Sequence, residues 1–164
     1  MNPFSSAVNQ KLYLARLLLE RCTPAQDAHG HAELALSQSA IFQLHCAYRL
    51  YLNEIASNYK VASTAFVNTA DELSQALLAI DKHPAESREL QNLEQETGSW
   101  LNRLLLVYQG ISQPQPLGST ETDNLIPLQS VESSTASADF ALVTSVLAGF
   151  GELLDRHREL MLEF

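Results

Sequence analysis

From residue 24 to residue 59 the chain reads as one helical pattern, too long for a strand and too polar for a membrane span. One stripe of it is Ala28, Ala32, Ala35, Ser39, Phe42, Cys46 and Leu50; a neighbouring stripe is Leu34, Ile41, Leu44, Tyr48, Leu52 and Ile55. Spacings of three and four place each set on one helical face. The small residues of the first half predict close approach by another helix, whereas the second half is bulky and aromatic. Gly30 weakens the opening turns by about 1 kcal/mol relative to Ala, so the ordered start is expected near His31. A helix with two apolar stripes needs helical neighbours on more than one side, and the fold class is read as all-α.

The neighbours are legible in the same way. Residues 5–21 carry Val8, Leu12, Ala15, Leu18 and Leu19 on one face, widened by Leu14 and Leu17, and Thr23-Pro24 breaks the pattern. Thr69 and Glu72 have the spacing of a reciprocal capping box, opening a short helix that uses Leu73, Ala76, Leu77 and Ile80. Residues 61–67 fit either a helical continuation or a compact connection. Residues 84–108 are expected to form one long helix, with Leu90, Leu93, Thr97, Trp100 or Leu101, Leu104 and Tyr108 inside and Glu86, Glu89, Glu96 and Arg103 outside. Gly98 marks a kink or a close crossing in it, and Gly110 its end. The last helix, after Ser137, uses Phe140, Val143, Leu147, Phe150, Leu153 or Leu154, His157, Leu160 and Met161. The expected architecture is a single domain, 1–164: an antiparallel bundle of four main helices plus one short helix. Residues 111–136 form a long acidic, Pro/Ser-rich connection before the last helix, with three prolines, three acids and no Lys or Arg.

Composition removes several functions. Ten basic residues against nineteen acidic ones give a net charge of −9, which repels phosphate backbones, so no nucleic-acid partner is expected. The apolar positions of the first twenty residues are interrupted by Lys11 and Arg16, unlike a secretion signal, and no window reaches the length of a membrane span. Cys22 and Cys46 form no CxxC and read as free thiols, and the expected compartment is the cytoplasm. There is no GxGxxG, no GxxxxGK[ST] and no GxSxG. A carboxylate-bridged metal pair needs Glu-x-x-His on facing helices, and none of His29, His31, His45, His83 and His157 follows a Glu by three positions. Neither a metal nor another cofactor is expected.

The densest chemical cluster is His45, Tyr48, Arg49 and Tyr51. His45 and Arg49 stand one turn apart on the same side of the long helix, where an imidazole and a guanidinium can hold an anion or assist acid–base cleavage of a phosphodiester. His45, Arg49 and Tyr48 are therefore the candidate catalytic residues. The bland alternative pairs Arg49 with a bundle carboxylate while its methylenes cover tyrosine rings. Near the end of the chain, Asp155, Arg156, His157, Arg158 and Glu159 crowd together. His157 continues the apolar register from Phe150 and Leu154 and reads as a histidine at the edge of the core.

At HAELALSQSAIFQLHCAYRLYLNEIA (residues 31–56), together with KLYLARLLLE (residues 11–20), the chain resembles an uncharacterised family of small helical proteins from pseudomonads and related bacteria. That resemblance covers most of the chain and brings no catalytic residues with it. The long helix also resembles HEPN domains, helical bundles that include RNases and inactive dimeric relatives. Active members carry RxxxxH or a close variant. Here Arg49, Arg88 and Arg103 have no His four to six residues downstream, and His157 directly follows Arg156, so the resemblance implies a fold without the nuclease motif. The expected function is that of a non-enzymatic protein acting through protein contacts, as a homodimer or with another partner. The expected dimer runs through the first or final helix, with Phe4, Tyr13, Phe140, Phe150 and Met161 as anchors. The alternative is a small-molecule or nucleotide-handling enzyme using the His45/Arg49 face.

Overall fold

The computed structural model describes residues 2–21, 31–62, 66–113 and 139–162. Among these there are six helices and no strand: α1 (Pro3–Glu20), α2 (His31–Asn58), α3 (Ala70–Leu78), α4 (Ala85–Gln95), α5 (Trp100–Ser112) and α6 (Phe140–Leu162). The all-α reading holds. Cys22, His29, the proposed helical turns before His31 and residues 114–136 of the expected 111–136 connection lie outside the described residues, while residues 111–112 of that connection are helical, at the end of α5.

Local chemistry sets the helix ends. Asn2 caps α1, its Oδ1 accepting from the Phe4 amide at 3.0 Å, while Pro3 occupies the first turn, where a missing N–H costs nothing. Thr69 caps α3 as expected, accepting from the Glu72 amide at 3.1 Å. The return arm of the box lands one residue early, on the Asn68 amide at 2.7 Å. Residues 61–62 and 66–68 are not helical. There the buried amide of Asn53 pairs with both backbone groups of Val67, accepting from its N–H at 3.0 Å and donating to its C=O at 2.8 Å.

The single helix expected over 84–108 is two helices. Glu96 turns extended, Gly98 takes a φ of +89°, and Ser99 caps a new helix by accepting from the Asn102 amide at 3.0 Å. Glycine adopts that backbone at no steric cost, so Gly98 breaks the helical pattern in two rather than kinking it. Gly110 does not stop α5, which runs on to Ser112. Helix ends need more than a glycine, and here no capping geometry accompanies it.

Helix α2 is the hub. It touches α1, α3, α5 and α6 directly, and reaches α4 through Tyr48 to Glu94, with Tyr59, just past its end, bonded to Glu86. Its buried residues include Ile41, Leu44, Tyr48, Leu52 and Ile55, the second of the two stripes. The first stripe is the outer one: Ala32, Ala35, Ser39 and Phe42 are exposed. Ala40 and Ala47 are among the small residues of α2 that are buried instead. Asn2 bonded to Asn58 and Lys11 to Gln43 show that α1 runs antiparallel to α2. In the other direction, Tyr51 meets His157, Glu54 meets Arg158 and Asn58 meets Met161, so α6 runs the same way as α2.

Aromatic rings tie the layers together. Trp100 of α5 stacks on Phe150 of α6 at 5.4 Å, and Phe150 meets Tyr51 of α2 edge-on at 5.9 Å. This crossing depends on Gly149, where an added Cβ would sit 2.6 Å from Trp100 Cδ1. Leu101, Leu104 and Val107 complete the α5 side. Several expectations about burial are corrected: Thr97, in the break between α4 and α5, and Ile80, past the end of α3, are exposed because neither lies within a helix. Phe140 and Leu160 lie exposed at the two ends of α6, beyond the neighbours that cover its middle. Glu86, placed outside by periodicity, is buried, and its Oε1 accepts from the Tyr59 hydroxyl at 3.2 Å. Phe150 is fully buried and serves the core, so it is removed as a dimer anchor.

Candidate functional site

Phe42, His45 and Arg49 follow one another at three and four residues and so share one face of α2. His45 stacks flat on Tyr108 of α5, with ring centroids 3.5 Å apart and planes 7° apart, and Phe42 packs edge-on against the same tyrosine at 5.2 Å. Burial, and then the nearby Arg49 charge, push the His45 imidazole down to about 4. It is therefore neutral near pH 7. The Arg49 guanidinium donates to Asn68 Oδ1 and lies over the Phe66 ring, 5.6 Å from its centroid. Its Nε is buried and has no partner among the described residues. Phe66 in turn packs against Phe4 of α1 at 6.1 Å.

Tyr48 parts company with these two. Its buried hydroxyl donates to Glu94 Oε1 at 2.5 Å, on the α4 side, and that oxygen also accepts from the Ala70 amide at 3.3 Å. Burial first, then the Glu94 charge and bond, hold the Tyr48 proton far above the ordinary phenol range. A phenol so held moves no proton near neutrality. Of the three candidate catalytic residues, His45 and Arg49 are thus brought together, while Tyr48 works as an interior bond between α2 and α4. Cys46, a free thiol, is half-buried on the same helix.

Two buried polar clusters escaped the sequence reading. In the first, Glu54 is 1% exposed and receives Arg158 in a forked pair, Nε to Oε1 and Nη2 to Oε2, both at 2.9 Å. Ser5 adds a third bond to Oε1 at 2.8 Å, and Arg158 Nη1 reaches Asn9 at 2.8 Å, so α1, α2 and α6 are locked together. In the second, His157 is buried between Tyr51 and Glu89. The Glu89 carboxylate only accepts, so His157 Nε2 donates to it at 2.8 Å, while Nδ1 lies 2.6 Å from the Tyr51 hydroxyl in a second hydrogen bond. Arg156 pairs with the other oxygen of Glu89. Burial, followed by the Glu54 charge, raises the Tyr51 hydroxyl well above its usual range. One signal was available: Glu54 interrupts an apolar run, and a carboxylate in such a place needs a partner.

Concavity occurs elsewhere. A cleft of about 510 Å³ opens where α2 ends, lined by Asn58, Tyr59, Lys60, Lys82, His83 and Met161 among others. A second of about 410 Å³ adjoins it, sharing Asn58 and Met161 and backed by Ser5, Glu54 and Arg158. Neither is lined by His45, Tyr48 or Arg49. Tyr59, in the larger cleft, is pushed up to about 12 by burial and by the Glu86 carboxylate it donates to. Among the described residues no group of three His, Cys, Asp or Glu side chains could hold a metal ion, and no helix is long and apolar enough to cross a membrane.

Neither the curated proteins nor the solved structures compared with the chain gave a significant match. A family model described as "Family of unknown function (DUF6586)" matches residues 1–164, and the chain belongs to that family.

Proposed function

We propose that the protein is a non-enzymatic cytoplasmic module that acts by contact with another protein, and that a second copy of the same chain is the first partner. The observation that carries this reading is the α2 face: Phe42 and Phe66, 40% and 45% exposed, flank His45 and Arg49. Aromatic rings and arginine are the residues that dominate protein interfaces, and this face leaves them half in water. Tyr13 and Phe140 remain exposed as further anchors, on α1 and α6. The second reading, a small-molecule or nucleotide-handling enzyme using the His45/Arg49 face, is favoured by one observation, the buried and unpartnered Arg49 Nε. The registers of α1, α4 and α5 against α2 also support a four-membered antiparallel bundle, with α4 and α5 in series sharing one position.

Light scattering of the full chain from low to high micromolar concentration tests the contact. The mass is expected to rise from the 18.1 kDa monomer toward twice that value. The Phe42→Ser/Phe66→Ser variant is expected to stay monomeric. A constant monomer mass for the unmodified chain overturns self-association. A dimer broken by Tyr13→Ser/Phe140→Ser, but not by the α2 pair, moves the interface to the first and last helices.

A further inference from the structure

The chain has only three lysines, against nineteen acids. Lys11 donates to Gln43. The other two, Lys60 and Lys82, both line the cleft of about 510 Å³, and neither has an ion-pair partner among the described residues. They arrive there through two turns: Lys60 follows the end of α2 with a φ of 57°, and Asp81, just before Lys82, has a φ of 56°. Left-handed backbone at two non-glycine residues holds the turns tight at the mouth of one cavity.

Among the described residues, the carboxylates near this cleft make no ion pair with either lysine. Glu54 is taken by Arg158, Glu86 accepts the Tyr59 hydroxyl, and Asp81 lies 3.9 Å from His83. Both ammonium groups are thus open to a bound anion. His83 adds an imidazole in the same wall, and α4 begins there at Pro84, which supplies no side-chain cap to the first-turn amides. The rest of the lining is apolar or amphipathic: the Tyr59 ring, the Pro84 ring and the Met161 thioether. The volume is in the range of small-ligand clefts and far too small for a polymer.

We propose that this cleft binds a small phosphate monoester. Its phosphate is held by the Lys60 and Lys82 ammonium groups with His83, and its apolar part rests on Tyr59, Pro84 and Met161. Lysines act as point charges for a compact dianion, and two of them on one cavity suit a phosphate better than a single carboxylate. This site is separate from the α2 face proposed for protein contact, and either can fail without the other.

The test uses phenyl phosphate, inorganic phosphate and benzoate as probes of the full-length protein, followed by amide NMR shifts and calorimetry. Phenyl phosphate is expected to give saturable shifts centred on Lys60, Lys82 and His83, with inorganic phosphate weaker. Lys60→Gln/Lys82→Gln, two surface changes that leave the helices in place by circular dichroism, is expected to bind about tenfold more weakly or worse. Lys60→Arg/Lys82→Arg is expected to retain most of the affinity. The proposal is overturned by the absence of saturable shifts, by benzoate binding as well as phenyl phosphate, or by unchanged affinity in the glutamine variant.

Discussion

His45 shows how much one ring can depend on its surroundings. Stacked on Tyr108 and pushed down to about 4, it stays neutral in the folded chain while its unfolded counterpart takes up a proton near 6.5. The neutral ring's contribution is therefore fully present above pH 6.5 and is lost as pH falls toward 4. With the ring only part-buried and screened by solvent, the loss should amount to about 1–2 kcal/mol. Urea midpoints at neutral and at mildly acidic pH, compared between the natural chain and His45→Gln, measure it. The variant should lose less stability across that interval; an equal loss in both would show that this ring does not carry the difference. The sequence placed His45 and Arg49 side by side, because one turn of helix is local geometry. It did not show that Tyr48, one residue from Arg49, points to Glu94, because that depends on a helix 46 residues away.

Between elements, the forked pair of Glu54 and Arg158 joins α2 to α6, with Ser5 and Asn9 bringing in α1. Removing one member leaves a desolvated charge, so Arg158→Met should cost about 3–5 kcal/mol in urea unfolding. Adding Glu54→Leu to that variant should recover most of the loss, since two apolar side chains of similar volume need no compensation. A cost for Arg158→Met near that of an ordinary surface substitution would mean that the Glu54 carboxylate is not held as described. The break at Gly98 belongs to the same scale. A glycine inside a helical pattern signals some departure, yet only Glu96 turning extended and Ser99 capping a new helix convert a kink into two elements.

Over the whole molecule, charge and its distribution argue against a nucleic-acid partner. The net charge is −9, and Arg156 and Arg158 are occupied by Glu89 and Glu54. Lys60 and Lys82 make a pair at one cleft, not a track. No specific binding of a labelled single-stranded RNA is expected by fluorescence anisotropy at physiological salt. Tight binding that weakens steeply with added salt would reverse this and bring Arg49, Arg156 and Arg158 forward. By itself, the sequence determined what repeats within a few residues: the helical class, the cap at Thr69, the inward face of Leu104 and the buried register of His157. These follow from spacings of three and four along one helix. Only the tertiary structure decided that Phe42 is exposed and Phe150 buried, and that Glu54 finds Arg158 104 positions away. It alone decided that two lysines from separate turns face one cavity. Periodicity gives the side of a helix on which a residue lies; what waits on that side is fixed by the packing of other helices, and a single chain of letters carries no record of it.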